Sequence, residues 1–391
     1  MRFVDRAIAP TLLAAAKQFP ALVLTGPRQS GKTTLLRRLF PNAAYVLLEA
    51  PDVRARASSD PRGLLDALRP PVLFDEIQNA PDLFAYIRER IDARPRAKGQ
   101  WLFTGSQEAP LMRGVSESMA GRAAILQLSP FSLAETPRAG LLVGGFPGAV
   151  GRPAARELWF ASYVQTYLER DLRAVTQVRD LNQFRRFLAL VASRHGQILN
   201  KTDLAAPLGV SVPTIGEWLD VLEVTGQILV VPPYFQNFGK RILKSPKVYL
   251  ADSGLACYLL GIRSQPELER SPFLGALFEG FIAAEIVKSQ WNAGQRKELY
   301  HFRDQQGLEV DFLFPSRHGL WMVECKAAKT LHPGMTAPLA SLGRSAGGEL
   351  RRSVVHRRPL RGARTRALAP GIEGLDELEF VQLLMANGET K

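Results

Sequence analysis

The sequence has two cysteines in 391 residues, Cys257 and Cys325. They lie far apart, with no His or Cys at ligand spacing, which excludes a disulfide framework and a cysteine-based zinc site. No stretch approaches the ~18 consecutive apolar residues that cross a bilayer. The opening MRFVDRAIAPTLLAAAKQFP carries Asp5, Arg6 and Lys17, so it reads as an amphipathic helix and not as a secretory leader, and a cytoplasmic location without membrane is expected. No motif recurs at periods of roughly 20–50 residues, which excludes a solenoid. Acidic residues are in deficit, 37 against 50 Lys and Arg, for a net charge of +13. That balance favours polyanionic partners. An arginine-rich genomic composition produces the same excess.

At ~100–200 residues per domain the length implies two or three domains. From Ala21 to Leu128 short apolar runs (ALVLTG, AYVLLE, PVLFDE, QWLFTGS, AAILQL) alternate with helical stretches such as KTTLLRRLF and DLFAYIRERID. This pattern predicts a parallel sheet with flanking helices. The Pro/Gly-rich LVGGFPGAVGRP breaks it, placing a first domain at 1–150, and Glu157 to Leu190 reads as long helices. Residues 151–250 continue as helix, turn at Gly209, a helix capped by Ser211, and β-rich QILVVPPYF and KVYLAD, the order of a winged helix-turn-helix. Residues 251–391 open on the helix FLGALFEGFIAAEIVKSQW and continue through strand-like ELYHFRD, LEVDFLF and LWMVECKA. The expected class is a multidomain α/β protein.

GPRQSGKT fits G-x-x-x-x-G-K-[ST] between a strand and a helix, the context the pattern requires. Such a loop, here Gly26, Pro27, Arg28, Gln29, Ser30 and Gly31, curls its amides toward phosphate at a helix N-terminus. Lys32 is expected at the β- and γ-phosphates, with Thr33 on Mg²⁺ and Thr34 completing the ATP site. PVLFDEIQ supplies Asp75 for the metal and Glu76 to polarise water. Thr104 or Ser106 sits where a γ-phosphate sensor, or a plain strand end, would fall. Arg122 in SMAGRAA is a candidate finger for a neighbouring subunit's nucleotide, which implies a homo-oligomer, or else a solvated arginine.

A second constellation lies downstream: Glu279 on a helix, Asp311 in GLEVDFLF, and Glu324 with Lys326 in MVECKAA. Strand residues two apart share a face, so Glu324 and Lys326 project together. Two or three carboxylates beside a lysine suit Mg²⁺ or Mn²⁺, held by Asp311 and Glu324, and phosphodiester hydrolysis. The same spacing also fits an edge strand with a solvated face.

With these motifs, and with LFDEIQ, FTGSQ, VYLADSGLACYLLG, LFEGFIAAE, EVDFLF and VECKA, the chain resembles bacterial and archaeal AAA-type ATPases carrying a C-terminal domain of unknown function related to the PD-(D/E)XK restriction-endonuclease-like fold. The resemblance covers nearly the whole chain. It implies a P-loop NTPase domain using Lys32, Thr33, Asp75, Glu76 and Arg122, and a nuclease motif on Glu279, Asp311, Glu324 and Lys326. Val310 stands where that motif's name implies proline. The expected partner is DNA, without sequence reading: the second winged-helix segment offers Glu217, Asp220 and Glu223, acids that suit docking within the protein or on the ATPase, while Lys240, Arg241, Lys244 and Lys247 form a basic wing able to touch a nucleic-acid backbone. Eight arginines between Arg344 and Arg366 face one acid, Glu349, either a nucleic-acid path or a solvated loop. The rival reading is a non-nucleolytic ATPase whose C-terminal domain only binds a partner. A metabolic kinase fits less well, since no acceptor site or lid follows Asp75.

Overall fold

The computed structural model describes residues 3–105, 118–168, 181–234, 245–317, 319–347, 349–357 and 367–388. Ser106, Lys240, Arg241, Lys244, Arg358, Arg361, Arg364 and Arg366 lie outside them. The chain forms two compact units.

The first unit spans 1–130, with the short segments Val224–Gly226 and Trp291–Gln295. Its strands are β1 (Ala21–Thr25), β2 (Ala44–Leu47), β3 (Val72–Asp75), β4 (Trp101–Thr104) and β5 (Ala123–Gln127), in the order β2-β3-β4-β1-β5. All pairings are parallel. Every residue of β1 is buried, as befits a parallel strand covered on both faces. Alternation divides it: Ala21 and Val23 join a core with Phe74, Phe103 and the helix Leu83–Ala93, while Leu22 and Leu24 join one with Ile8, Leu12, Leu35 and Leu36. Chain order reverses around β1, and ligands of open α/β sheets bind at such a switch point, beyond the strands' C-terminal ends.

The second unit holds the remaining residues from 131 onward. After a helix at Arg156–Tyr163 and a π-helical turn at Val164–Leu168 comes the helix Leu181–Ser193; residues 169–180 of the expected long helices are outside the described residues. Then follow β6 (Gln197–Ile198), the helix Lys201–Ala205, the helix Val212–Val224, β7 (Ile228–Val231) and β8 (Lys247–Leu250). The three strands form an antiparallel sheet in the order β6-β8-β7. The helices pack through Phe184, Phe187 and Trp218, whose rings meet edge to face. Ser211 caps its helix as expected, its Oγ accepting from Thr214 N at 3.2 Å. Ser211→Ala should cost about 1 kcal/mol of local stability. Hydrogen exchange of the first-turn amides should then accelerate about five-fold; unchanged rates would refute the cap's contribution.

A six-stranded mixed sheet completes the unit: β9 (Tyr300–Arg303), β10 (Glu309–Ser316), β11 (Gly319–Lys326), β12 (Leu350–His356), β13 (Ala367–Ala369) and β14 (Ile372–Asp376), in the order β13-β14-β12-β11-β10-β9. The helix Ala337–Ser345 covers one face through Leu339 and Leu342, in a core with Val310, Leu313 and Met322. On the other, Trp321 meets Phe314 and Phe380, the latter from the helix Glu377–Gly388.

β12 corrects the expectation for the arginine-rich stretch, whose first part is an interior strand and not a loop. Arg351 pairs with Glu373 at 2.8 Å and lies over the Trp321 ring at 4.0 Å, and Arg357 pairs with Glu269. Long aliphatic stems let arginines line a buried strand while their heads find acids.

Candidate functional sites

The phosphate loop leaves β1 at Thr25 and ends in the helix Lys32–Leu39. Gly26 has φ +135°, and a Cβ there would fall 2.2 Å from Leu128 O, so the position admits only glycine. Gln29 (φ 60°) and Gly31 (φ 98°) complete the left-handed curl. Lys32 is buried and donates to the carbonyls of Gly26 (2.8 Å) and Pro27 (2.9 Å), which holds its ammonium inside the loop.

β3 delivers Asp75 to the same end of the sheet. Its Oδ1 accepts from Thr33 Oγ1 at 2.8 Å and from Thr104 Oγ1, and its Oδ2 from Tyr45 OH at 2.7 Å. Three hydroxyls thus fix one carboxylate. Burial, and then the bond to Asp75, push the Tyr45 phenol well above its ordinary value. Glu76 follows in the left-handed region (φ 56°), uncommon for a side-chain-bearing residue and typical of functional turns. Its N–H donates to Thr104 Oγ1 (3.2 Å), and its carboxylate accepts from Gln78 Nε2. Thr104 therefore anchors the acidic pair. Thr33 and Asp75 offer hard oxygens in contact, a donor set that suits Mg²⁺.

Arg122 is elsewhere. β5 starts level with β1, Ala123 beside Ala21, so Arg122 sits one strand length, about 16 Å at 3.3 Å per residue, from the loop. Its guanidinium forks onto Asp92 at 2.6 and 3.0 Å. The structure does not bring it to this chain's own phosphate loop.

The second constellation does converge. Continuing the β10–β11 register from Phe312↔Val323 sets Asp311 opposite Glu324 on one face, and a β-bulge at Val310 to Leu313 marks the place on the β9 side. Asp311 Oδ2 accepts from Cys325 N at 2.8 Å, and Lys326 Nζ donates to Glu324 Oε1 at 2.6 Å. Glu324 Oε2 is buried without a hydrogen-bond partner. Glu279, on the helix Leu274–Asn292, accepts from Lys247 Nζ (2.8 Å) and Tyr249 OH (2.5 Å). Lys247 also lies 2.6 Å from Glu309 Oε1 and 3.8 Å from Asp311 Oδ1.

Lys247 thus departs from the expected basic wing: it is buried at 3% exposure among three carboxylates, where burial disfavours its charge and Glu279, Asp311 and Glu309 together hold it protonated. Burial, and then the charge of Asp311, raise the carboxyls of Glu279 and Glu324 above the usual carboxylate range, against the pull of Lys247 and Lys326. Burial likewise raises Asp311. Among the described residues no group of three or more His, Cys, Asp or Glu is placed to hold a metal ion. A cation here would rest on Asp311 and Glu324, whose unpartnered Oε2 is a hard oxygen of the required kind.

Comparison with known proteins follows this division. Residues 18–136 match the family described as AAA domain, and residues 135–266 and 274–366 match two domains of unknown function, DUF8612 and DUF4143. The uncharacterized proteins Mb2031c of Mycobacterium bovis and Rv2008c of Mycobacterium tuberculosis are each 34% identical over 313 residues, covering 78% of this chain and 70% of theirs. The chain belongs to their family. Among solved structures, the Walker-type ATPase PABY2304 of Pyrococcus abyssi (17% identity, TM-score 0.45) covers 66% of this chain and 96% of its own, and Thermotoga maritima RuvB (16%, 0.30) covers 59% and 91%.

The first unit, whose residues 18–136 match the AAA domain, has a P-loop NTPase fold, with a parallel five-stranded sheet and flanking helices. No helix is long and apolar enough to cross a membrane among the described residues. Three groups escaped sequence reasoning. Arg6, buried at 6% exposure, donates to Ser30 O (3.0 Å) and Ser129 O (2.6 Å) and braces the phosphate loop. A lone arginine before the first helix carries no signal of that. Tyr45 was equally silent near the start of an apolar run. Glu309 was legible, since LEVDF sets it two residues from Asp311 on one face.

Proposed function

We propose that the protein binds and hydrolyses ATP at the phosphate loop and couples nucleotide state to a restriction-endonuclease-like C-terminal site that cuts phosphodiesters in DNA. The observation that carries the ATPase reading is the Asp75 carboxylate, fixed by Thr33 and Thr104 beside a lysine held in a glycine curl. Lys32 and the loop amides would neutralise charge on the β- and γ-phosphates, and Glu76 would orient and polarise the attacking water. Mg²⁺, held by Thr33 and Asp75, would supply further charge neutralisation. As water adds to the γ-phosphorus, the bond to the β–γ bridging oxygen breaks and ADP leaves. Arg122 would serve only a neighbouring subunit's nucleotide, after release from Asp92.

At the second site Asp311 and Glu324 would hold Mg²⁺ or Mn²⁺, and Lys326 would steady the nucleophilic water. The metal supplies Lewis acidity there. The order of helices and strands in residues 181–234 and 245–250 supports a winged helix-turn-helix reading. Its second helix presents acids, and Glu223 is already paired with Lys297 at 3.1 Å, which supports docking within the protein over groove reading.

The full protein with ATP and Mg²⁺ or Mn²⁺ should nick plasmid or cut single strands. Lys326→Ala should abolish cleavage and leave ATP turnover intact; unchanged cleavage in that variant would sink the nuclease assignment. A second reading, an ATPase switch whose C-terminal domain only binds a partner, draws on Lys247, which already supplies counter-charge to the cluster. It predicts no cleavage by the wild type under any metal.

A further inference from the structure

Three strands bring paired residues to one place. Lys247 and Tyr249 leave β8 on one face and both end on Glu279 Oε1. Glu309 and Asp311 leave β10 on one face and both approach Lys247 Nζ, at 2.6 and 3.8 Å. Glu324 and Lys326 form the third pair, on β11. The two lysines differ in setting. The Lys326 side chain is 34% exposed at the margin of the cluster, whereas that of Lys247 is 4% exposed and has carboxylates of Glu279, Glu309 and Asp311 around it. One oxygen, Glu324 Oε2, is served by neither lysine and is buried without a partner.

A metal ion on Asp311 would lie a few ångströms from the Lys247 ammonium. Like charges at such a separation in a partly dry site repel strongly, and Asp311, one of the two carboxylates that would attract the metal, already has the lysine 3.8 Å away. We infer that Lys247 is an internal counter-cation which a divalent metal must displace from Asp311, so that strand β8 controls metal loading of the C-terminal site. This rests on the reading of Asp311 and Glu324 as metal ligands. Lys247 then acts on the chemistry only through the metal, as a positioning residue. The unpartnered oxygen of Glu324 is the acceptor that remains for the incoming ion while the lysine is still seated.

The test uses the full chain without nucleotide and Mn²⁺ alone, with binding followed by calorimetry. Lys247→Met should bind Mn²⁺ at least ten-fold more tightly than the wild type, at a site that Asp311→Asn removes in either background. Equal, Asp311-dependent affinity in the wild type and in Lys247→Met overturns the inference and leaves the metal site standing. Absence of any Asp311-dependent binding in both overturns the metal site itself, and the inference with it. Where Lys247→Met fails to fold, amine acetylation of the wild type read by mass spectrometry decides the question: Mn²⁺ should raise labelling of Lys247 at least five-fold, EDTA should reverse it, and Asp311→Asn should prevent it. Labelling of Lys247 that does not rise at any Mn²⁺ concentration leaving the protein soluble overturns the inference.

Discussion

Glu76→Gln is expected to lower ATP turnover about a hundred-fold or more, the usual worth of a positioned general base, while nucleotide affinity stays within a few-fold of wild type. The side chain that changes touches Gln78 and, through its backbone, Thr104; the groups assigned to the phosphates, Lys32 and the loop amides, are untouched. An amide keeps the shape and one acceptor oxygen for Gln78 but cannot draw a proton from water. Loss confined to kcat is the mark of an interaction made in the transition state. Lys32→Ala should do the opposite and remove binding itself. Phosphate release and fluorescent-nucleotide titration separate the two. Turnover within ten-fold of wild type in Glu76→Gln would show that another group handles the water, and lost binding would show that the left-handed turn at Glu76 matters to the site's fold.

The second large effect is on stability. Burial, and then the neighbouring Asp311, raise the Glu324 carboxyl to about 8, from 4.5. The sign follows from linkage: below 4.5 the group is protonated folded or unfolded and contributes no difference. Between 4.5 and 8 only the unfolded chain releases the proton, so stability is lost as pH rises through that window, and the full penalty is present above 8. Glu324→Gln is neutral throughout. It should therefore match wild type at pH 4.5 or below, before any lost Lys326 contact, and exceed it above pH 8 by about 2–4 kcal/mol. Hydrogen exchange of β10 and β11 amides in EDTA, at acid and alkaline pH, measures this locally. A variant less stable than wild type at pH 9 would refute the burial argument. Residues that a site keeps at such a cost are the ones expected to work there.

Much of this is legible in the sequence. All five strands of the first unit coincide with apolar runs; the central β1, β3 and β4 are buried on both faces and have no polar side to disguise them, and the edge strands β2 and β5 stay apolar though only partly buried. The glycine loop, Asp75 and Glu76 could be singled out from chain order alone, and the structure brings them to one end of the sheet. Period-two spacing found Glu324 with Lys326 and would have found Glu309 with Asp311. What stayed hidden was decided by distant partners. Lys247 reads as wing decoration until carboxylates from a helix and from β10 surround it, and Arg351 reads as a free charge until Trp321 and Glu373 receive it. Arg122 had a candidate role in sequence order, but its position level with the start of β1 keeps it from this chain's own phosphate loop.

The brace formed by Arg6 bears on where the first unit can be cut. The matched AAA domain starts at residue 18, yet Arg6 holds the carbonyls of Ser30 and Ser129, and Ile8 and Leu12 line the core beneath the phosphate loop. A fragment excised along the homology boundary would lose a guanidinium and two buried aliphatic side chains from under its nucleotide site. The working nucleotide-binding module therefore begins a helix earlier than its family resemblance does.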